Sequence, residues 1–350
     1  MVIRFGVIGC GSIGQVHIVN LKKIKQAELV AAADIREEAL KEVKSKYNIP
    51  YTYTDYRDLL AREDVDAVII ATPNRFHAPM TIEAIKAGKH VLCEKPPAIT
   101  TREVIEMFNA SKKYNRKLQI GLMFRFLDKT VAFKKLIEAG ALGEVYYART
   151  GIIRRSGIPG MGSWFTRKRD AGAGPLYDIG VHALDLTLWL IGDFKAKSVY
   201  ASTYAKFGPR GKGMGKWGIP VPGGVFDVED LAVAFIKMES GATIYLEVSW
   251  AAHAHDTELF SYIFGDKGGI DYVNAILYTE ENDRLIDKKI HYEKNNPYIA
   301  EVEHFIKVIE EDKEPLTKPE EMIYLQAILE AALKSAEENK VIEVKKMLEA

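Results

Sequence analysis

The chain has 350 residues, enough for two cores, and its 48 Lys plus Arg are matched by 48 Asp plus Glu. A formal net charge of zero offers no field for nucleic acid or an anionic membrane surface, and no apolar run approaches the roughly eighteen residues of a membrane span. Two cysteines, Cys10 and Cys93, are too few for a stapled secreted fold, and Arg4 and several glycines interrupt the start where a signal peptide would be apolar, so the expected setting is cytoplasmic.

The first apolar run, residues 3–8, reads as a strand and ends in Gly9-Cys10-Gly11-Ser12-Ile13-Gly14 before an amphipathic stretch to Lys23. In such a strand, turn and helix, Gly9 makes the tight turn, Gly11 lets backbone approach a pyrophosphate, and Gly14 lets the helix lie close on the strand. The N–H groups of Ser12, Ile13 and Gly14 at the helix start, with its positive dipole end, suit phosphate. A second run, residues 29–33, ends at Asp34, spaced to bind the adenosine ribose hydroxyls of a dinucleotide. Arg36 follows; its guanidinium can stack on adenine or meet a 2′-phosphate, and Asp34 favours NAD, with NADP the alternative. A glycine triplet alone can be merely a turn, but the strand before it and the acid after it make a bound dinucleotide the working premise.

Helix and strand then alternate: helix 37–47, strand 51–54, helix 56–62, strand 67–71, helix 79–87, strand 90–93, a helix capped by Thr100 and running to about Tyr114, and strand 118–122. This predicts a parallel Rossmann sheet in a first domain of residues 1–123. On the edge where its strands end, the glycine turn meets Thr72-Pro73-Asn74 with His77, and Glu94-Lys95-Pro96. Thr72 and Asn74 suit the nicotinamide half of the cofactor, and Lys95 can reach a reacting oxygen; read alone, Lys95 is also an ordinary solvated lysine, and His77 a structural hydrogen-bonder.

Residues 124–350 change character. After a helix at 129–139, strand-like runs at 145–152, 196–204, 230–238, 243–249 and 258–264 are joined in places by turns too short for anything but antiparallel pairing. Helices 297–311 and 319–338 follow, each with Pro at its start. The expectation is an α+β domain with an open, mostly antiparallel sheet and helices on one face.

Within this half, a helix from Pro175 to Gly192 places Asp178, His182, Asp185 and Trp189 on one face. A carboxylate one turn below an imidazole orients it as a general base for an alcohol. An ordinary Asp-His pair and a metal site are the competing readings; no cysteine or fourth ligand is near, so no metal is expected. Arg154, Trp164 and neighbouring basic residues at 152–170 are candidates to line a substrate pocket. Residues 206–224, rich in Gly and Pro, read as a lid or as a plain solvated loop.

Together the glycine turn, Ala71-Thr72-Pro73-Asn74, Glu94-Lys95-Pro96 and Asp178-x-x-x-His182-x-x-Asp185 resemble the Gfo/Idh/MocA family of glucose-fructose oxidoreductase and inositol dehydrogenase. The resemblance runs through nearly the whole chain. It implies catalytic roles for Lys95 and His182 with Asp178 beside them, a sugar or polyol substrate, and dimers or tetramers built through the second sheet. It also places Arg125 at a substrate-contacting position; His77, Glu94 and Lys95, on the sheet edge that holds the glycine turn, are expected cofactor contacts. Three functions are compatible: a nicotinamide-dependent polyol dehydrogenase; an enzyme using a retained cofactor for transient oxidation, as in glycoside cleavage or sugar-to-sugar exchange; and a cofactor-sensing regulator, against which Lys95 and His182 count.

Overall fold

A computed structural model describes residues 2–349. The chain divides into two compact units, Met1–Met123 with Asn296–Met322, and Phe124–Asn295 with Ile323–Ala350. The expected second domain of residues 124–350 is therefore corrected, because 296–322 packs with the first unit. The sequence supplies the reason: Val302, Phe305 and Ile306 repeat at helical spacing on the helix Pro297–Glu310 and enter the core built around the first strands.

The first unit holds six strands, β1 (Ile3–Ile8), β2 (Ala27–Ala33), β3 (Tyr51–Tyr53), β4 (Ala67–Ile70), β5 (His90–Glu94) and β6 (Leu118–Gly121), all parallel in the order β3-β2-β1-β4-β5-β6. β1, β4 and β5 are apolar nearly throughout, as strands covered on both faces must be. Their register puts Ile8 opposite Ala33 and Ile70, and Ile70 opposite Cys93. The next residues, Gly9, Asp34, Ala71 and Glu94, thus share one edge, and the strand order reverses between β1 and β4, where open α/β sheets bind ligands. Thr100 and Glu103 form a reciprocal cap on the helix Thr101–Tyr114.

The second unit contains nine strands: β7 (Val145–Ile153), β8 (Ala196–Tyr204), β9 (Leu231–Met238), β10 (Thr243–Ser249), β11 (Phe260–Gly265), β12 (Gly268–Asp271), β13 (Ile276–Glu281), β14 (Arg284–Lys289) and β15 (Ile342–Glu343). They form one sheet in the order β14-β13-β12-β11-β7-β10-β9-β8-β15, antiparallel except where β10 pairs with β7. β12 to β14 and β15 extend the sheet beyond the predicted strands. The β13–β14 turn is made by Asn282 and Asp283, both at positive φ, the conformation a two-residue hairpin needs.

Helices cover one face of this sheet. Thr150 Oγ1 on β7 donates to Ala183 O of the helix Val181–Ile191 (3.1 Å), and Ala201 N–H on β8 donates to Ser335 Oγ of the helix Pro319–Glu338 (2.9 Å). Aligned across the other face are Tyr200, Phe235, Tyr245, Arg149 and Tyr262, with Tyr200 and Phe235 well exposed.

Candidate active site

The glycine turn is built for close backbone approach. Gly9 has φ +95°, and a Cβ there would lie 2.4 Å from Ala71 O; a Cβ on Gly14 would lie 1.9 Å from Gly9 O. Gly11 differs, since a Cβ on it would meet nothing within 4 Å, so the backbone there faces open space. Gln15 N–H is the first to reach an intrahelical carbonyl, Gly11 O at 2.9 Å, so the N–H groups of Ser12, Ile13 and Gly14 precede the ladder of the helix Ser12–Leu21. Asp34 accepts Cys10 N–H (2.8 Å) on one oxygen and Arg36 N–H (2.9 Å) on the other, and the Arg36 guanidinium folds back onto the same carboxylate at 3.2 Å. Arg36 is thereby a partner of Asp34. Burial pushes the Cys10 thiol up to about 12, so it stays protonated beside that carboxylate. Thr72 Oγ1 at the end of β4 is buried with no protein partner, an orphan hydroxyl suited to a ligand at this edge, and Asn74 is buried nearby. These residues fit a dinucleotide.

Two expected cofactor contacts are corrected. His77 is 1% exposed, with Nδ1 2.7 Å from Pro96 O and Nε2 2.8 Å from Thr72 O, so both ring nitrogens are consumed in clamping two site loops together. A neutral imidazole donates through only one nitrogen, yet both carbonyls ask for a donor, while burial lowers its pKa. Glu94, 5% exposed, turns inward: Oε1 lies 2.7 Å from His17 Nε2, and Oε2 accepts Lys95 N–H at 3.1 Å. Its work is to fix the residue that carries the Lys95 side chain. His17, missed in the sequence, sits on the buried side of the glycine-turn helix, edge-on to Tyr298 at 5.7 Å.

In the second unit the predicted helix opens with one wider π-type turn, Leu176–Gly180, and continues as the α-helix Val181–Ile191. Such turns recur at functional sites. Asp178 Oδ2 accepts the indole N–H of Trp250 at 2.8 Å; Trp250, fully buried at the end of β10, is a second residue the sequence reading missed. His182 is 7% exposed and meets the ring of Phe124 edge-on at 5.1 Å.

Arg125, expected to touch substrate, is fully buried; its Nη2 lies 2.6 Å from Asp185 Oδ1 and its Nε 3.0 Å from Oδ2, with the guanidinium over Trp189 and Phe194. Substrate contact is corrected to a tie between the turn Met123–Phe126 and the helix, since a guanidinium with no exposed surface has no face left for a ligand.

Arg154 and Trp164 are half-buried, and Trp164 stacks on Phe165 at 3.8 Å. The 206–224 segment is not a plain solvated loop. Gly213 O accepts Gly157 N–H and Ile158 N–H, Gly215 N–H donates to Ile158 O, and Gly160 N–H donates to Trp217 O, so it runs paired with 157–161. Among the described residues no group of three or more His, Cys, Asp or Glu is arranged to hold a metal, and no helix is long and apolar enough to cross a membrane.

Residues 3–122 match the oxidoreductase family model with an NAD-binding Rossmann fold, and residues 130–271 match the GFO/IDH/MocA C-terminal domain. The chain belongs to the Gfo/Idh/MocA oxidoreductase family. It is 31% identical over 345 residues to D-glucoside 3-dehydrogenase of Escherichia coli, covering 98% of this chain and 97% of that relative. It is 28% identical to myo-inositol 2-dehydrogenase of Thermotoga maritima over 99% of each chain. A solved structure of levoglucosan dehydrogenase in complex with NADH superposes with a TM-score of 0.84 at 25% identity, covering 98% of this chain and 99% of that one. The NAD-binding unit of the family is the one that carries the Gly9–Gly14 turn, Asp34 and the Thr72 hydroxyl.

Proposed function

We propose that this family member is an NAD-dependent dehydrogenase of a secondary hydroxyl on a sugar, cyclitol or related polyol. In this reading Lys95 and His182 act on the reacting oxygen, and Asp178 supports His182. The observation that carries it is that one chain holds both an NAD-binding unit and a buried helix headed by Asp178 and His182, and is similar from end to end to a D-glucoside dehydrogenase. Bound nicotinamide would supply the hydride acceptor. His182 takes the hydroxyl proton, and Lys95, its backbone held by Glu94, stabilises the developing alkoxide with its ammonium. Trp250 holds the Asp178 carboxylate in place. Arg154 and Trp164 remain candidates for sugar contact.

The same reading includes a homo-oligomer through the open sheet face, where exposed Tyr200 and Phe235 and half-buried Tyr245 form an aromatic row. Light scattering tests it: Phe235→Asp is expected to shift the protein to monomer, and a native protein that is monomeric at micromolar concentration sinks the idea.

The function itself is tested by presenting the purified protein with glycosides, aldoses and inositols, each with NAD and NADP, and following nicotinamide reduction. Turnover with at least one polyol is expected. A cofactor that co-purifies, never exchanges and never accumulates in reduced form, while a glycoside is cleaved or sugars exchange oxidation state, would favour transient oxidation instead.

A further inference from the structure

The short segment Asp227-Val228-Glu229-Asp230, just before β9, sends each of its acids to a different part of the second unit. Asp227 Oδ1 accepts Lys168 N–H at the start of the turn Lys168–Ala171, just after Trp164–Thr166. Asp230 Oδ2 accepts Phe207 N–H (2.6 Å) and Gly208 N–H (3.0 Å), where the glycine-rich segment begins. Glu229, between them, accepts Gly174 N–H on Oε2 (2.9 Å) and Leu176 N–H on Oε1 (3.1 Å). Pro175 has no N–H, so one carboxylate takes both free donors at the start of the helix that carries Asp178 and His182. The approach is close: a Cβ on Gly174 would lie 2.0 Å from Glu229 O, so that glycine is what lets the segment dock.

On the dehydrogenase reading above, we propose that Glu229 is a positioning residue: its ionised carboxylate holds the first turn of the helix, and through it the placement of Asp178 and His182. Ionisation matters because a carboxylate accepts strongly on both oxygens with no O–H to turn away, and negative charge at a helix N-terminus is favoured by its dipole. Burial opposes that charge and pushes the carboxyl up to about 7, against the downward pull of the Gly174 and Leu176 N–H groups and of Lys168. Lys168 is the charged side chain acting on it from a neighbouring element, and its ammonium also pairs with Glu337. Asp227 and Asp230 turn their carboxylates to other segments. Because the folded value is raised, the stability this group contributes is full in acid, declines as pH rises above the ordinary carboxylate range, and is lost by about 7. The well-positioned form is thus the less stable one: stability falls as pH approaches about 7 and levels above it, while activity rises through about 7.

The test uses the full-length protein with Glu229→Gln and Glu229→Asp. Amide hydrogen exchange over 173–185, corrected for intrinsic rates, is measured from about pH 5 to 8 alongside kcat, KM and melting temperature. Gln keeps one acceptor and turns an N–H toward the other donor. It is expected to lower protection in this segment and kcat by about tenfold each, to leave KM for the cofactor unchanged, and to remove both the activity limb and the stability decline near pH 7. Asp keeps the charge on a shorter arm and is expected to retain both pH limbs with intermediate protection. Native protection in Glu229→Gln, or an unchanged pH dependence of protection and melting, overturns the proposal. If the native protein oxidises no polyol, the dehydrogenase reading fails, and the exchange and melting arms still decide whether Glu229 holds the helix.

Discussion

His17 Nε2 and Glu94 Oε1 lie 2.7 Å apart, both side chains buried, and join the helix of the glycine turn to the end of β5. The other Glu94 oxygen holds the backbone of Lys95, so a side chain in the cofactor helix reaches the proposed catalytic lysine through one intermediary. His17→Ala takes one hydrogen-bond partner from a buried carboxyl group, and leaving a buried acceptor short of a partner costs about 1 to 3 kcal/mol. Urea unfolding is expected to show a loss of that size, together with a reduced kcat. A loss too small to resolve would mean that Glu94 finds another partner and that the tie is dispensable.

Glu301 stands behind this pair. It is fully buried, and neither carboxyl oxygen has a hydrogen-bond partner. Burial first, and the nearby Glu94 carboxylate second, raise its pKa well above the ordinary range, so the folded protein carries Glu301 protonated where the unfolded chain does not. The contribution to stability is therefore full below about pH 4 and declines as pH rises toward the raised folded value, by about 1.4 kcal/mol per pH unit for one proton. Glu301→Gln should remove one proton's worth of slope as pH rises above the ordinary carboxylate range in denaturant titrations. An unchanged slope would show that the carboxyl is already ionised in the fold.

What the sequence made legible was local. The glycine turn, Asp34, the Thr100–Glu103 cap and the strand alternation of the first unit depend on neighbours within a few residues, and periodicity reports those directly. The misread residues depend on distant ones: Arg125 finds Asp185 60 positions away, and Glu94 finds His17 77 positions away. Each looked like a free charge beside a motif, and burial of its partner, which no spacing reveals, turned it into a structural tie. The hairpin of β13 and β14 was overlooked for another reason. Both its strands carry charged residues at an open edge, and Asn282-Asp283 is a weaker turn signal than Asn-Gly. Trp250 stood in plain view after β10, but only the fold brings its N–H to Asp178.

Lys95→Ala and His182→Ala test the chemical assignment. Each is expected to lower kcat by about 10²- to 10⁴-fold, the usual range for losing a proton-transfer or charge-stabilising group. Affinity for NAD, followed by fluorescence titration, should change little, because the glycine turn and Asp34 remain intact. Near-native kcat in either variant removes that residue from the mechanism.

Trp250→Phe isolates one hydrogen bond, since the ring stays and only the donor to Asp178 is lost. A hydrogen bond to a charged group is worth about 1.5 to 3 kcal/mol, so kcat/KM for the polyol is expected to fall by roughly tenfold or more. Cofactor affinity should not move. A variant with native kcat/KM would show that Asp178 does not depend on Trp250.

Asp34 is expected to make NAD the preferred cofactor. Its two oxygens are already held by the N–H groups of Cys10 and Arg36, and an acid at this position of a dinucleotide-binding unit accepts the ribose hydroxyls. A 2′-phosphate would bring negative charge against this carboxylate and remove a hydroxyl donor. Arg36 is the residue that could rescue it, but its guanidinium is engaged by Asp34 at 3.2 Å and would have to break that pair to meet phosphate. Asp34→Ser removes the repulsion and frees Arg36 together. The ratio of kcat/KM for NAD to that for NADP is therefore expected to fall by about tenfold to a hundredfold, the value of one or two charge-assisted hydrogen bonds. A native enzyme that prefers NADP, or a variant with an unaltered ratio, would show that selectivity is set elsewhere on this edge of the sheet.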